Sequence, residues 1–429
     1  MKSVTGPRKR TVGGVDQLAA TLPVADLART ALDALRAAAR RAGARGPLVD
    51  APLDPERVAA AFGSDRLLRV DGAPWAPFAP HSGFFAAADG WVRTHANYPH
   101  HRARLLSVLG LPDDAGRDAL ADALAAAPAR QVEEAAAAAG AIAVRVRTEA
   151  QWRASDPGLA TGAGPLVGTT ERSDRAADRR DLPGGPLPLA GVRVLDLTRV
   201  IAGPVATRTL ALLGADVLRL DPPDPAEIPA QHLDTGQGKR TALLDLRDAH
   251  DRARAQELLD AADVLVTGYR PGAVEAFGLR PPRGAVHARV TAWGTTGPWA
   301  GRRGFDSVVQ AACGIALVES PDGTTPGALP VQALDHGTGY LLAAAVTDAW
   351  TRRTHDGTGR DVTASLARTA AWLLDAPGRD PDHPAPTPLP HPPSLQTRTH
   401  GAVTSARPAL PVDDYPAPAH SWGTDPAAW

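Results

Sequence analysis

Cysteine is nearly absent. Cys313 is the one thiol in 429 residues, so neither an intrachain disulfide nor a multi-cysteine metal site can form. That fits a reducing, cytoplasmic setting. Lysine is scarce as well: Lys2, Lys9 and Lys239 are the only ones, and arginine carries the positive charge elsewhere. The chain has 46 Lys+Arg against 47 Asp+Glu, a net charge of −1. This balance excludes bulk electrostatic binding of nucleic acid or of an anionic membrane. No apolar run approaches the roughly 18 residues of a membrane span. The basic stretch from Met1 to Arg10 leads into no apolar segment, unlike a secretory signal. What remains is ordinary for a globular chain, with 44% hydrophobic and 22% charged residues. The length suits roughly two to four domains.

Five regions follow from texture. Residues 1–70 are Ala- and Arg-rich and helical, with an amphipathic helix over Leu22 to Ala42 carrying Leu27, Ala31, Leu32 and Leu35 on one face. Residues 71–155 predict a small α+β domain, including an alternating strand at Gly90–His95. Residues 156–187 combine Gly, Pro and mixed charge and predict a linker. Over 188–375, short β-rich runs alternate with helical ones, from Val192–Leu197 onward. That alternation predicts an α/β fold with a Rossmann-like, doubly wound parallel sheet. Ligands of such sheets bind beyond the carboxyl ends of the strands. Residues 376–429 are a Pro-rich tail, read as an extended wrap or a partly disordered segment.

Few motifs carry chemistry by themselves. Asp335, followed by Gly337 and Gly339, opens an apolar helix and occupies an N-cap position. A carboxylate there is a possible covalent nucleophile with amide donors beside it. Taken alone, the loop reads first as a plain helix cap, since Asp is so common there. The Gly-loop cations Lys239 and Arg240 could meet a phosphate, but the P-loop spacing is absent and a strand follows, not a helix. The turn Val200–Pro204 lacks G-x-G-x-x-G, so a conventional NAD site is not supported. His81, His95, His100 and His101 lack the carboxylates or H-E-x-x-H spacing of a metal centre.

Together the motifs resemble the family III CoA-transferases, the CaiB/BaiF family, which includes formyl-CoA transferase and alpha-methylacyl-CoA racemase. The likeness is carried by Leu189–Leu197, Ala202-Gly-Pro204, Leu213–Val217, Gly238–Thr241 with Leu244–Leu246, Ala262–Val264 and Tyr269–Gly272. Gly294–Pro298, Phe305-Asp306 with Gln310-Ala311, and Gly357–Arg360 complete it. The resemblance covers about residues 188–366 and makes this region a CoA-binding and catalytic domain. It implies that Asp335 is the nucleophile, with Gly337 and Gly339 as candidate oxyanion donors. It further implies CoA contacts at Ile201, Ala202, Lys239, Arg240, Leu244, Arg247, Gly268, Tyr269, Arg270, Arg303, Gly304, Phe305 and Asp306, with Arg247 and Arg303 as phosphate partners. Pro222 stands where the family often has a basic residue.

The implied activity moves CoA from an acyl-CoA donor to a carboxylic acid through an aspartyl-CoA thioester. CoA is substrate there, with no permanent cofactor and no metal. The resemblance also implies a homodimer. One alternative is a 2-methylacyl-CoA racemase, which needs a second acid/base where this sequence has Phe305. Another is a non-catalytic CoA-binding partner subunit. A departure concerns order: the family's small domain follows the large one, whereas here residues 71–155 precede it.

Overall fold

A computed structural model describes residues 16–76, 78–176 and 187–429. At its centre lies a seven-stranded sheet. Its strands in chain order are β1 (Val167–Arg175), β2 (Arg193–Leu197), β3 (Asp216–Asp221), β4 (Lys239–Leu243), β5 (Val264–Thr267), β6 (Val286–Thr291) and β7 (Thr358–Ser365). The spatial order is β1-β7-β6-β5-β2-β3-β4, with every pair parallel except β1 with β7. Register is set at the middle, where Val264 of β5 faces Val194 of β2 and Val286 of β6.

The strands are buried because both faces are covered. Val194, Val217, Val264 and Val266 enter one core, while Leu195, Leu218 and Leu265 enter the other. Period-two alternation therefore feeds two cores, as a doubly wound sheet requires. The second core is closed by Ala255, Leu258 and Leu259 of the Ala249–Asp260 helix. The first holds four helices that matter below: α1 (Val24–Arg41), α2 (Ala202–Leu212), α3 (Asp306–Cys313) and α4 (Ala333–Asp356). Nearly every residue of α4 from Ala333 to Val346 is buried, so it runs through the core rather than along a surface.

Two packing demands shape α4. A side chain added at Gly339 would place its Cβ 2.6 Å from the Ala202 carbonyl oxygen and 2.9 Å from Val205. Only glycine lets α2 and α4 approach so closely. On another side α1 packs against α4, and a Cβ at Gly337 would lie 3.1 Å from Leu27. The N-terminal helix, with Leu27, Ala31, Leu32 and Leu35 all buried, thus shares the core of the large domain.

A small sheet lies outside the large one. Strands Gly83–Ala87, Gly90–Thr94 and Ala143–Arg145 make an antiparallel sheet with its own core of Phe85, Val92, Leu105, Leu120, Leu124 and Val132.

Two expectations change. The stretch 156–187, read as a linker, contains the helix Asp156–Gly162 and the whole of β1, with residues 177–186 outside the described ones. β1 is polar (VGTTERSDR) because an antiparallel edge strand needs backbone pairing more than apolar side chains. The Pro-rich tail also folds back. Thr397–His400 pairs with Val403–Ala406, which pairs in turn with Arg69–Val70, and Ala73–Pro74 completes that sheet. Its last residues cover edge strand β4: the Asp425 N–H donates to the Thr241 carbonyl at 2.9 Å, and the Thr241 N–H donates to the Asp425 carboxylate at 2.7 Å.

Candidate active site

The chain leaves β2, builds β3 and β4 on one side, then returns to place β5 on the other side of β2. Between β2 and β5 lies a switch point, where the strand ends leave a crevice. The β2 end continues into Arg199, Val200 and Ile201, and the β5 end into Gly268, Tyr269 and Arg270. Val200 has φ +73°, a strained conformation for a β-branched residue. It lines two adjoining cavities.

The smaller cavity, about 300 Å³, is lined by the expected residues Gly268, Tyr269, Arg270, Arg303, Gly304 and Phe305. Arg199 and Arg302 join them, and no carboxylate does. It continues past Arg270, Arg302 and Arg303 into a space of about 370 Å³ that reaches Arg104 of the small unit. Arg303 donates to the Gly140 carbonyl at 3.1 Å. Its pKa is lowered by burial and by the neighbouring Arg270 and Arg104. Arg199 is paired with Glu227 at 3.3 Å and Arg302 with Glu133 at 3.7 Å, which leaves Arg270 and Arg303, with no ion pair among the described residues, as the cations suited to phosphate groups.

The larger cavity, about 830 Å³, is lined by Asp335, Ile201, Phe305 and Asp306 from the large domain and by His95 and Tyr98 from the small unit. Tyr98, His100, Val200, Pro225 and Phe305 line both cavities and form the junction. His95 stacks on Phe305 with ring centroids 3.9 Å apart. Burial, then Arg93, lowers its pKa well below the usual value, so its ring is neutral. Tyr98 donates its hydroxyl to Glu227 at 2.6 Å, and Glu227 also pairs with Arg219 at 2.6 Å and Arg199 at 3.3 Å.

Asp335 sits in the first turn of α4 rather than at its cap, which is Gln332. The capping role belongs to Asp306, the first residue of α3. Its Oδ2 accepts the N–H groups of Leu334 at 2.9 Å and Asp335 at 3.0 Å, and its Oδ1 accepts from the Gln310 amide. Both carboxylate oxygens of Asp306 are thus engaged by the protein, while the residue also lines the larger cavity. The carboxylate of Asp335 takes no hydrogen bond or ion pair among the described residues, although the residue is only 6% exposed. Burial raises its pKa well above the ordinary aspartate value, and Asp306 and then Asp65 add to this. Asp306 is pushed up to about 6, chiefly by burial.

Other expected residues lie elsewhere. Gly337 and Gly339 are inside α4, where their N–H groups belong to the helical ladder, so they are packing glycines rather than oxyanion donors. Lys239 is buried on β4, its Nζ 3.1 Å from Asp196 and 2.9 Å from the Pro204 carbonyl oxygen. Burial brings its pKa down to about 8 against the opposing pull of Asp196. Arg240 pairs with Asp216 at 2.7 Å and with the Ala428 carbonyl. Arg247 is exposed beside Asp245, Leu244 is in the second core, and Ala202 is packed under α4. None of these lines either cavity, because β4 lies two strands from the switch point. The residues that sequence reasoning missed are Tyr98, Arg199 and Asp65, with Asp234 and Gln231 beside them. Only a fold places them together.

Residues 189–399 match CoA-transferase family III. The chain carries a domain of that family. Relatives of the family III domain include acetyl-coenzyme A transferase nodX of Hypoxylon pulicicidum, 33% identical over 262 residues, covering 56% of this chain and 43% of the relative. The probable fatty acyl-CoA transferase Rv3272 of Mycobacterium tuberculosis is 32% identical over 229 residues, covering 47% and 58%. The succinyl-CoA:glutarate CoA-transferase of Homo sapiens is 29% identical over 206 residues, covering 44% and 47%. The chain spans about half the length of these curated relatives. Among the described residues, no helix is long and apolar enough to cross a membrane.

Proposed function

We propose that the protein transfers CoA between an acyl-CoA and a carboxylic acid, with Asp335 as nucleophile. The observation that carries this reading is the unpartnered, buried carboxylate of Asp335 in a cavity that adjoins an arginine-lined one. The phosphates of CoA occupy the arginine side and the thioester crosses the junction at Tyr98 and Phe305.

Asp335 attacks the thioester carbonyl, and the C–S bond breaks to give an aspartyl–acyl anhydride and CoA thiolate. The thiolate attacks the aspartyl carbonyl, releasing the donor acid as carboxylate and leaving an aspartyl-CoA thioester. An acceptor carboxylate runs these two steps in reverse, so no net proton or water is consumed. Burial serves this chemistry, since water would hydrolyse both intermediates. It also leaves the nucleophile poorly solvated and so more reactive. With Gly337 and Gly339 unavailable, Ser307 is the candidate oxyanion donor: it lines the same cavity, and its buried Oγ has no hydrogen-bond partner.

Incubation with an acyl-CoA followed by hydroxylamine should convert Asp335 to its hydroxamate, located by mass spectrometry of the peptide. Turnover without any modification of Asp335 would remove the reading.

One observation favours the racemase as a second reading. His95 brings an imidazole into the Asp335 cavity against Phe305, the position that lacks a proton-transferring side chain. Alpha-deuterium uptake by a 2-methylacyl-CoA in deuterated water would support it. A rate of CoA exchange unaccompanied by uptake would exclude it.

A further inference from the structure

The two cavities have opposite electrostatic character. Arginines 199, 270, 302 and 303 line the smaller, with no acid among the described lining residues. The larger has neither arginine nor lysine among its described lining residues, but it has Asp65, Asp224, Glu227, Asp234, Asp306 and Asp335. Two of these are already engaged: Glu227 is neutralised by Arg219 and Arg199, and Asp306 holds α4.

Asp65 and Asp234 are different. Asp234 is 2% exposed. Its Oδ2 accepts the Ser64 hydroxyl at 2.8 Å, while its Oδ1 has no partner. Arg208 binds the backbone carbonyl of Asp234 at 2.5 Å, not its carboxylate. The Oδ1 of Asp65 and the Oε1 of Gln231 are also buried without a partner. Gln231 and Asp234 are three residues apart on one helix, Pro229–Thr235, and therefore share a face. All three residues line the larger cavity, together with the rings of Trp75, Phe78 and Tyr98.

These three unpaired oxygens, two of them on carboxylates, form an unusual set beside the unpaired Ser307 hydroxyl and the His95 and His100 rings. A buried acceptor left unpaired costs free energy. Burial, then Asp234, raises the Asp65 pKa to about 6 against the opposing pull of Arg66. An ammonium group offers three N–H donors and no acceptor, and aromatic faces attract cations; Phe78 and Tyr98 already hold Arg93 and Arg199 at 4.9 and 5.3 Å from their ring centroids, whereas Trp75 holds none among the described residues. A second carboxylate would instead meet like charges in a desolvated site.

We propose that the acyl group handled here carries a positively charged amine at its far end, received by Asp65, Asp234 and Gln231 in the cavity that Trp75 also lines. This rests on the transferase reading for the placement of the thioester, and it adds the substrate class.

The test uses three CoA thioesters of equal chain length: 6-aminohexanoyl-, hexanoyl- and adipoyl-CoA. Their dissociation constants are measured with the full-length Asp335→Asn protein, and their rates of Asp335 modification with the unaltered protein. The expected order is amine, then neutral, then dicarboxylate, with at least about tenfold between the first and last. Asp65→Asn and Asp234→Asn should each shrink the amine-to-neutral ratio. A ratio is independent of how much of a variant is folded. Adipoyl-CoA bound as tightly as the amine, or a ratio unmoved by both substitutions, would overturn the proposal. If the binding order holds but Asp335 is never modified, the substrate class stands and the transferase reading falls. If Asp335 is modified fastest by adipoyl-CoA, the reverse is true.

Discussion

The Oδ2 of Asp306 lies 3.0 Å from the backbone nitrogen of Asp335. One buried aspartate therefore fastens the helix end that presents the other. The first carboxylate is consumed by backbone donors, and the second is left free for chemistry. Losing the fastening should act on both stability and turnover. Asp306→Ala is expected to cost about 1–2 kcal/mol, as for a helix cap, and to lower kcat more than it raises KM. Asp306→Asn, which keeps an acceptor, should recover most of the stability. Denaturant titration and steady-state kinetics on the three proteins check this.

The raised pKa of Asp335 sets a pH dependence for catalysis. Its attack needs the ionised form, so kcat/KM should fall as pH is lowered, with a midpoint above the ordinary aspartate value of about 4. Asp335→Ala should reduce turnover by about a thousandfold or more while leaving acyl-CoA binding measurable. A pH–rate profile and equilibrium binding test the two statements.

The same shift has the opposite consequence for folding. Between the ordinary and the raised pKa, the folded chain keeps a proton on Asp335 that the unfolded chain has released. Stability from this group therefore falls as pH rises through that window, and a constant penalty remains above it. Asp335→Asn should melt at a higher temperature than the unaltered protein at pH 7.5. The difference should narrow as pH approaches 4. Calorimetry over this range gives the result.

Lys239 separates a structural from a binding role. Its ammonium is buried against Asp196 and the Pro204 carbonyl. Lys239→Met should cost about 3–5 kcal/mol by stranding the Asp196 charge, yet leave KM for acyl-CoA unchanged in the folded protein. Arg303→Ala, in the arginine-lined cavity, should raise that KM with little loss of stability. A KM increase in the lysine variant would show that its ammonium reaches the ligand.

Gly339→Ala should destabilise by about 1–3 kcal/mol, since the added methyl meets a backbone carbonyl that cannot move aside. Gly337→Ala meets only the end of the Leu27 side chain and should cost less. Melting temperatures of the two variants rank them.

Much of this protein was legible without a fold. Local patterns carry the alternation of Val194 with Leu195 and of Val264 with Leu265, the amphipathic stripe on α1, and the ordered motifs that place Asp335 at the start of a helix. Period and capping chemistry act over a few residues and so leave a trace in a short window. Long-range geometry leaves none. Lys239 and Arg303 look alike as basic residues beside glycines, but one is sealed in an ion pair and the other faces a cavity. Only strand order decides that. The edge strand at 167–175 was hidden because pairing, not apolarity, holds it. Asp65 and Tyr98 both lie far from Asp335 along the chain and meet it only because the small unit and the N-terminal region close over the switch point. The sequence by itself thus determined which elements form and which aspartate begins the helix. Tertiary structure alone decided which charges remain unpaired, because pairing depends on neighbours brought in from distant parts of the chain.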